Sequence, residues 1–378
     1  MWRFILSALI IWAGLHAYVF WRLGSVPLLA RHLTRLHRWL LAALLWASFP
    51  LARWLTHRHL DALGVPLEFA ANIWMGTLFL LFSTLLTLEP LTLGGWLFRR
   101  AIPTLRTTAV AVALTLSGVA LVQGLRAPTI QAEEITLPGL PPALDGLTLA
   151  TISDLHLGTT HHEAWLRARI DQLHTLQADA ILVVGDLVDS DVRRVEPLLP
   201  ILKTLHAPLG VWAVYGNHDT FGGGERTAEL IRAAGFRLLR DECAPLAPGL
   251  TLAGVDDLGL RRHTAADAVT RTLSGRPAGD GATILLSHTP MAAETAATHG
   301  AQLMLSGHTH AGQLWPFGEL VRLVHPLFHG RYNVAGMQVY VSRGAGTWGP
   351  PMRLWQPGEI VLLRLRTGHP MPDTAQAQ

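Results

Sequence analysis

Long apolar segments are confined to the first third of this 378-residue chain, and they restrict its fold more than any other feature. Four such runs are each about as long as an α-helix that crosses a bilayer, which needs roughly 20 apolar residues. These runs are 4–20, 39–55, 69–88 and 109–125. Several tryptophans fall near their ends, as in the aromatic belts at membrane interfaces. The sequence therefore predicts a transmembrane region of about four helices over residues 1–127.

Arginines in the short loops predict how this region is oriented. The loops after the first and third runs carry seven arginines: Arg22, Arg31, Arg35, Arg38, Arg99, Arg100 and Arg106. The opposite side carries four: Arg3, Arg53, Arg58 and Arg126. Because short cytoplasmic loops are enriched in positive residues, the first and third loops are predicted to be cytoplasmic. We therefore expect an integral protein of the cell (inner) membrane, with an extracytoplasmic C-terminal domain.

Charge and cysteine content exclude some partners and sites. The formal net charge is only +3 and the arginines are scattered, so no basic patch tracks nucleic-acid phosphates. We expect no nucleic-acid partner, and the bilayer is the partner that the apolar runs predict. The single cysteine, Cys243, excludes an intrachain disulfide and a cysteine-rich zinc site. These features leave the oligomeric state open.

A second region follows a proline-rich connector at 128–145, which can add an edge strand at Glu133–Leu137. Short apolar runs then alternate with amphipathic stretches, a pattern typical of layered α/β domains. The predicted domain covers 146–366, and a disordered tail follows at 367–378. The predicted strands are Leu147–Ser153, Ala180–Val184, Val211–Val214, Leu250–Val255, Thr283–Leu286, Gln302–Leu305, Gln338–Val341 and Glu359–Leu365. The predicted helices include Glu163–Leu176 and Arg226–Ala234.

Side chains that commonly bind metals follow five of these strands, at the point where each strand ends. They are Asp154, His156, Asp186, Asn217, His288, His308 and His310. Open α/β sheets place ligand sites at the carboxyl ends of their strands. Each residue alone has an ordinary explanation, since aspartate and Gly-Asn pairs are common in turns. Their recurrence at five strand ends predicts one site, where seven ligands converge on one edge of the sheet.

The chemistry of these side chains suggests a reaction. They supply carboxylate, amide and imidazole donors without thiolates, a set that suits Mn, Fe or Zn. Two such ions about 3.5–4 Å apart, bridged by a carboxylate, can clamp a phosphoryl group for in-line displacement. A hydroxide bridging the ions would be the nucleophile, because a metal-bound water loses its proton near neutral pH. We therefore expect a phosphoric ester hydrolase with two divalent transition-metal ions.

The Gly-Asn-His-Asp segment adds two candidate catalytic residues, His218 and Asp219. His218 is adjacent to Asn217 and is predicted to face the substrate. There it would stabilise the transition state or protonate the leaving oxygen. Asp219 is predicted to orient His218, because a neighbouring carboxylate favours the charged form of an imidazole.

The ordered motif set resembles the calcineurin-like metallophosphoesterase superfamily. The set comprises Asp-x-His at 154–156, Gly-Asp-x-x-Asp at 185–189, Gly-Asn-His-Asp at 216–219, His288 and Gly-His-Thr-His at 307–310. The resemblance implies a β-sandwich flanked by helices, which is a four-layer α/β/β/α domain, with a dinuclear metal centre. It implies one ion bound by Asp154, His156, Asp186 and His310. It implies a second bound by Asp186, Asn217, His288 and His308, with Asp186 bridging and His218 catalytic.

Motifs further along the chain resemble one branch of that superfamily, the YaeI/YkuE type, which includes transmembrane members. They are Gly-Val-Asp-Asp at 254–257, Ser-Arg-Gly-Ala-Gly at 342–346, Pro-Pro-Met-Arg at 350–353 and Pro-Gly-Glu-Ile at 357–360. Members of the branch are described as phosphodiesterases, and a related membrane enzyme cleaves the pyrophosphate of UDP-2,3-diacylglucosamine. The resemblance implies a membrane-anchored hydrolase of phosphodiester or pyrophosphate bonds, with a lipid-linked substrate of this kind among the candidates.

Three alternatives stay open. The apolar segment 314–334 contacts a membrane or an acyl chain, or it is an ordinary insertion that closes the sandwich. A second alternative to the phosphodiesterase is a general nucleotide or phosphomonoester phosphatase. A third is a non-catalytic membrane sensor that keeps its metals for structure. The presence of His218 and Asp219 beside every predicted ligand favours a hydrolase over a sensor.

Overall fold

The computed structural model describes residues 2–277 and 281–368. These form two compact units. A helical unit contains the residues up to Arg126 together with Gly349–Trp355, and a sheet unit contains Ala127–Trp348 and the residues from Gln356 onward. The predicted tail lies outside the described residues from position 369 onward. The limits of the predicted domains stay predictions.

The helical unit contains four helices that are long and apolar enough to cross a membrane. Its helices are α1 (Trp2–Leu23), α2 (Pro27–His32), α3 (Arg35–His57), α4 (Asp61–Thr92) and α5 (Ile102–Gly124). The long helices begin before the predicted apolar runs. Helical hydrogen bonding also includes the residues that precede each apolar run. The start of α3 is an example, since the Thr34 hydroxyl accepts a hydrogen bond from the amide of His37.

Two paired carboxylates lie near opposite ends of α4. Glu68 is 3% exposed and pairs with Arg53 at 3.0 Å. Glu89 pairs with Arg22 at 2.6 Å and accepts a hydrogen bond from the Tyr18 hydroxyl at 2.9 Å. At 1.5 Å per residue the two glutamates are about 31 Å apart along the helix, close to the thickness of a hydrocarbon core. Charged side chains at these depths are consistent with a helix that crosses a bilayer.

The sheet unit has twelve strands among the described residues. They are β1 (Thr129–Leu137), β2 (Thr148–Ile152), β3 (Ala180–Val184), β4 (Val211–Val214), β5 (Arg237–Leu238), β6 (Glu242–Ala247), β7 (Leu250–Gly254), β8 (Ala282–Leu286), β9 (Leu303–Ser306), β10 (Gly330–Val334), β11 (Met337–Val341) and β12 (Glu359–Thr367). Its helices are α6 (Glu163–Thr175), α7 (Leu199–Leu202), α8 (Asn217–Gly222), α9 (Glu225–Ala233), α10 (Ala265–Ser274), α11 (Ala293–Thr298) and α12 (Phe317–Val324).

These strands form two six-stranded sheets. The first sheet has the order β1-β12-β2-β3-β4-β5 and the second has the order β10-β11-β9-β8-β7-β6. In the first sheet β2, β3, β4 and β5 are parallel, and in the second β7, β8, β9 and β11 are parallel. Because parallel neighbours end at the same edge, each sheet brings the loops that follow its central strands together.

Three apolar cores separate the layers. Alternation along β3 shows the division, since Ala180, Leu182 and Val184 belong to the core between the sheets, whereas Ile181 and Val183 face helices. The outer core of the first sheet includes Leu166 of α6 and Ile231 of α9. The outer core of the second sheet contains residues of α10 and α11. The predicted four-layer α/β/β/α domain, preceded by four apolar helices, is confirmed.

The structure has more strands than the sequence predicts. The strand predicted at Glu133–Leu137 runs over the whole of β1 and pairs in parallel with β12, so much of the predicted connector belongs to the first sheet. Strands β5, β6 and β10 were not predicted, and they lie at or next to sheet edges. Edge strands have one unpaired side and a weaker burial pattern, which is why periodicity does not reveal them.

Candidate metal centre

The predicted ligands come from the carboxyl ends of both sheets. Strands β2, β3 and β4 of the first sheet lead to Asp154, His156, Asp186 and Asn217. Strands β8 and β9 of the second sheet lead to His288, His308 and His310. The expectation of a single sheet edge is therefore wrong. The ligands meet where the two facing sheets end side by side, because the sandwich brings together loops that are distant in sequence.

The first cluster consists of Asp154, His156 and His310, whose ligand atoms all lie within 4.8 Å of one another. The Nε2 atoms of His156 and His310 are 3.1 Å apart, and Nε2 of His310 is 3.3 Å from Oδ1 of Asp154. These three side chains are at most 6% exposed. Two imidazole nitrogens and a carboxylate oxygen that converge in this way suit a divalent transition metal.

The second cluster consists of Asp186, His288 and His308, again with ligand atoms within 4.8 Å of one another. Nε2 of His288 lies 3.0 Å from Oδ2 of Asp186. The same carboxylate oxygen lies 3.7 Å from Nε2 of His156, which belongs to the first cluster. Asp186 therefore lies between the two clusters, where a bridging carboxylate is required.

Asn217 and three glycines also fit a centre with two metal positions. The Oδ1 atom of Asn217 is buried and accepts no hydrogen bond from the described residues, so a cation is a suitable partner for it. A Cβ atom added to Gly185 would lie 2.5 Å from Nδ1 of His288. A Cβ atom at Gly216 would overlap Asp186, and one at Gly307 would overlap Asp154. Only glycine leaves room for the ligands at these three positions.

Five of the predicted ligands have left-handed backbone conformations. The φ angles are 55° at Asp154, 46° at His156, 52° at Asp186, 71° at His308 and 50° at His310. Non-glycine residues rarely adopt this conformation, which costs about 1–2 kcal/mol per residue. Strained residues of this kind concentrate at functional sites, where the surrounding structure holds them in place. Their concentration here indicates a site built for ligation instead of for stability alone.

Burial and neighbouring charges shift the pKa values of the cluster residues in different directions. Burial lowers the pKa of His156 and His288, but Asp186 and other nearby carboxylates outweigh that effect and raise both above the ordinary value. Burial and the nearby His288 lower the pKa of His308 to about 3, so its imidazole is neutral, the form that ligates a metal. Burial raises the pKa of Asp186, but His288 and His156 outweigh that effect and hold its pKa below the ordinary value. Burial raises the pKa of Asp154. Two carboxylates buried this deeply require cationic partners, which histidines or metal ions can supply.

His218 lies beside the first cluster, as predicted, but Asp219 does not contact its ring. The two oxygens of Asp219 accept hydrogen bonds from the backbone amides of Val188 and Gly216, both at 2.9 Å. The predicted orienting role of Asp219 is therefore wrong, because its side chain turns back into the strand-end loops. Burial and the charge of Asp186 raise the pKa of Asp219 to about 7.

The Asp189 backbone orients His218 instead. Nδ1 of His218 donates a hydrogen bond to the carbonyl oxygen of Asp189 at 2.6 Å. This bond leaves Nε2 as the nitrogen that can face a substrate. The His218 ring centroid is 4.7 Å from that of His156. His218 is thus close enough to the clusters to act on a group bound there.

Two residues near the clusters were not predicted as part of the site. The Asp189 carboxylate lies 3.2 Å from Nδ1 of His156, a contact that fixes the orientation of a ligand imidazole. A signal for Asp189 existed, since it ends the Gly-Asp-x-x-Asp motif. The ring of His325 lies 5.1 Å from that of His308. No sequence signal marks His325, because it follows α12 in a segment without a metal-binding pattern.

Comparison with known proteins agrees with this geometry. Residues 147–312 match the sequence profile of the calcineurin-like phosphoesterases. The uncharacterized metallophosphoesterase YkuE of Bacillus subtilis is 31% identical over 239 residues, which are 60% of this chain and 82% of that protein. The chain belongs to the calcineurin-like phosphoesterase family. The predicted family, including relatives of the YkuE type, is therefore confirmed.

Other members of the family are similar over the same part of the chain. An uncharacterized metallophosphoesterase of Helicobacter pylori strain J99 is 35% identical over 64% of this chain and 65% of its own length. A Danio rerio protein named transmembrane protein with metallophosphoesterase domain is 35% identical over 69% of this chain and 63% of its own. The chain thus spans slightly less than two thirds of these two relatives. The four apolar helices and the transmembrane relative together indicate a membrane protein.

Solved structures show a weaker likeness. A dimetal phosphatase from Danio rerio aligns with 53% of this chain and 88% of its own, at 14% sequence identity and a TM-score of 0.34. A score of that size carries no argument about function. The sequence profile and the curated relatives are therefore the basis on which the family is assigned.

Proposed function

We propose that this calcineurin-like phosphoesterase is a membrane-anchored hydrolase of phosphodiester or pyrophosphate bonds that uses two divalent metal ions. The observation that supports this most directly is the position of Asp186, whose Oδ2 atom lies between His288 of one cluster and His156 of the other. Two ion positions that share one carboxylate are the arrangement required for a two-metal phosphoryl clamp.

The residues of the clusters have separate roles in this proposal. Asp154, His156, Asp186 and His310 would hold one ion, and Asp186, Asn217, His288 and His308 would hold the other. When bound, the ions stabilise negative charge on the phosphoryl oxygens. His218 is the catalytic residue of the chain itself, because Nε2 is the ring nitrogen left for the substrate. In its protonated form the ring would donate the Nε2 proton to the leaving oxygen and become neutral. Asp219 holds the backbone of the site through the amides of Val188 and Gly216 and does not contact the substrate.

Metal content and turnover test this proposal together. Purified full-length protein is expected to contain up to two transition-metal ions per chain, measured by elemental analysis. It should hydrolyse bis-p-nitrophenyl phosphate faster than mono-p-nitrophenyl phosphate. Asp186→Ala should abolish both metal binding and hydrolysis, since this side chain serves both ions. Faster cleavage of the monoester would favour a general phosphatase. Stable metal binding without hydrolysis of either ester would favour a sensor.

An apolar helix beside the second cluster supports a lipid-linked substrate. Helix α12 exposes Leu320 by 56%, Leu323 by 81% and Val324 by 58%, so its apolar face points to solvent. The helix ends one residue before His325, whose ring contacts that of His308. An apolar face exposed next to a metal cluster is suited to the acyl chains of a lipid or to the bilayer interface. The rest of the apolar segment includes β10, which closes the edge of the second sheet.

Charged substitutions on α12 test the lipid component. Leu320→Asp and Leu323→Asp should lower kcat/KM roughly tenfold or more for a lipid-linked pyrophosphate such as UDP-2,3-diacylglucosamine in mixed micelles, since each buried CH₂ contributes about 0.8 kcal/mol. The loss for bis-p-nitrophenyl phosphate should be much smaller. Leu260→Asp is the matched control, because Leu260 is also an exposed leucine of the sheet unit, at 44%. Equal losses on both substrates would exclude a lipid contact at α12.

A further inference from the structure

A tryptophan stands next to the predicted catalytic histidine and has no role in metal binding. The indole of Trp348 is 51% exposed, and its ring centroid is 6.0 Å from that of His218 at an interplanar angle of 72°. A half-exposed indole leaves a large apolar face in water, an arrangement that frequently marks a ligand or partner contact. The position of Trp348 beside His218 places such a contact on the side of the site from which the leaving group departs.

The backbone of Trp348 is held on both sides by the Gln313 side chain. The amide of Trp348 donates to Oε1 of Gln313 at 2.9 Å, and Nε2 of Gln313 donates to the carbonyl oxygen of Trp348 at 3.1 Å. Gln313 is only 7% exposed and follows His310 by three residues. The loop that carries two metal ligands therefore also determines where Trp348 lies.

A second attachment joins the Trp348 loop to the first cluster. The backbone amide of Gly346 donates to the carbonyl oxygen of Asp154 at 2.9 Å, and that of Ala345 donates to the carbonyl oxygen of Ser153, also at 2.9 Å. Trp348 follows Gly346 by two residues. The backbone of Trp348 is thus part of a loop bonded to the strand ends of both sheets, so that little backbone entropy is lost when a ligand contacts the residue.

From these contacts we infer that Trp348 is a substrate-contact residue that selects leaving groups with an aromatic or pyranose ring next to the scissile phosphoester. The inference rests on the proposed function and defines its substrate class. The exposed indole face stacks on an aromatic base or on the carbon–hydrogen face of a hexose. A linear alkyl ester offers neither.

Equilibrium binding of phosphonates to the full-length protein, in detergent with Mn²⁺, tests the inference without requiring turnover. The probes are phenylphosphonate, a hexopyranosyl phosphonate and n-butylphosphonate. The wild type should bind at least one ring-bearing probe roughly tenfold more tightly than the butyl probe, the size expected of base–aromatic stacking. Trp348→Ala should remove this preference, and Trp348→Phe should retain much of it. Tighter binding of the phenyl probe would indicate an aromatic base as the leaving group, and tighter binding of the hexose probe would indicate a sugar.

A second exposed tryptophan provides the matched control. Trp355 is 54% exposed but belongs to the helical unit, so Trp355→Ala should keep the ring preference. The inference is overturned if wild-type protein binds the butyl probe as tightly as both ring probes, or if Trp348→Ala keeps the preference. Hydrolysis of bis-p-nitrophenyl phosphate is measured separately. A ring preference without hydrolysis would therefore refute the proposed function and leave Trp348 only as a ring-binding residue.

Discussion

Both ring nitrogens of His156 have a close polar neighbour. Its Nε2 atom lies 3.1 Å from Nε2 of His310, and its Nδ1 atom lies 3.2 Å from the carboxylate of Asp189. A carboxylate behind a ligand imidazole sets the tautomer and the ring orientation, and it makes the ligating nitrogen more basic. Asp189 also holds His218 through its backbone carbonyl. One residue outside the predicted ligand set therefore contacts both a predicted ligand and the proposed catalytic histidine.

Asp189→Asn should weaken metal binding while leaving the chain folded. We expect metal affinity to fall about 10–100-fold, the usual effect of losing a carboxylate behind a ligand histidine. Competition with a chelator, followed by elemental analysis, measures this directly. Asp191→Asn is the control, since the Asp191 carboxylate bonds to Arg193 and not to a histidine. Unchanged affinity in Asp189→Asn would show that Asp189 does not support the site.

The strand ends of the first sheet combine tight turns with close packing against the second sheet. Gly185 follows β3 with a φ angle of 80°, and an added Cβ would lie 2.5 Å from the ring of His288. Gly210 precedes β4 with a φ angle of 85°, but its nearest contact would be 3.8 Å away at Trp212. The two glycines have the same backbone requirement and differ only in their proximity to a ligand.

This pair separates backbone strain from damage to the metal centre. Gly210→Ala should destabilise the protein by about 1–2 kcal/mol, the cost of a left-handed alanine, and should retain its metal. Gly185→Ala should carry the same strain and also displace His288, so the second ion and the hydrolysis should both be lost. Chemical denaturation measures the free energy of unfolding, and elemental analysis measures the metal. Two full metal equivalents in Gly185→Ala would contradict the assignment of His288.

In the whole molecule, the predicted metal centre would add to the apolar packing and the hydrogen bonds that join the two sheets, such as the bond from Nε2 of Gln338 in β11 to the carbonyl oxygen of Thr136 in β1. Asp154 and Asp186 belong to the first sheet and His288 to the second, and all three are at most 2% exposed. Ions shared by these residues would stabilise the folded state, because the unfolded chain does not preserve the site.

Chelation should therefore lower the melting temperature. A ligand present at about 100 times its dissociation constant stabilises the folded state by about 2.7 kcal/mol, so a shift of several degrees is expected. Thermal scans with and without EDTA measure it. Asp186→Ala should respond much less to EDTA than the wild type. Equal melting temperatures for the wild type with and without EDTA would mean that the metals contribute nothing to the fold.

Membrane orientation determines which substrates the domain can meet. Arginine positions predict that the C-terminus is outside the cytoplasm. Alkaline phosphatase fused after residue 378 should then be active, and the same enzyme inserted near residue 33, between α2 and α3, should be inactive. The reverse pattern would place the domain in the cytoplasm. Only that reversed orientation would allow a cytoplasmic nucleotide-sugar lipid such as UDP-2,3-diacylglucosamine to reach the site.

Sequence reasoning was sufficient where a signal is local. The four apolar helices appear as long, mostly hydrophobic runs, and β3 and β4 have the bounds that their buried runs predict. The predicted ligands could be found because each follows a strong strand in a short motif. Edge strands such as β5, β6 and β10 carry no comparable signal, because one of their two hydrogen-bonding edges is unpaired and their burial is partial.

Contacts between distant segments depended on the packed structure. The sequence predicted that His218 faces the substrate and that Asp219 orients it, but the fold turned Asp219 toward two backbone amides and placed Asp189 behind His156. It likewise brought Trp348 to Gln313, 35 residues away. Local patterns record which residues a segment contains and which face it buries. Side-chain partners across two sheets are determined only when the apolar cores bring those sheets together.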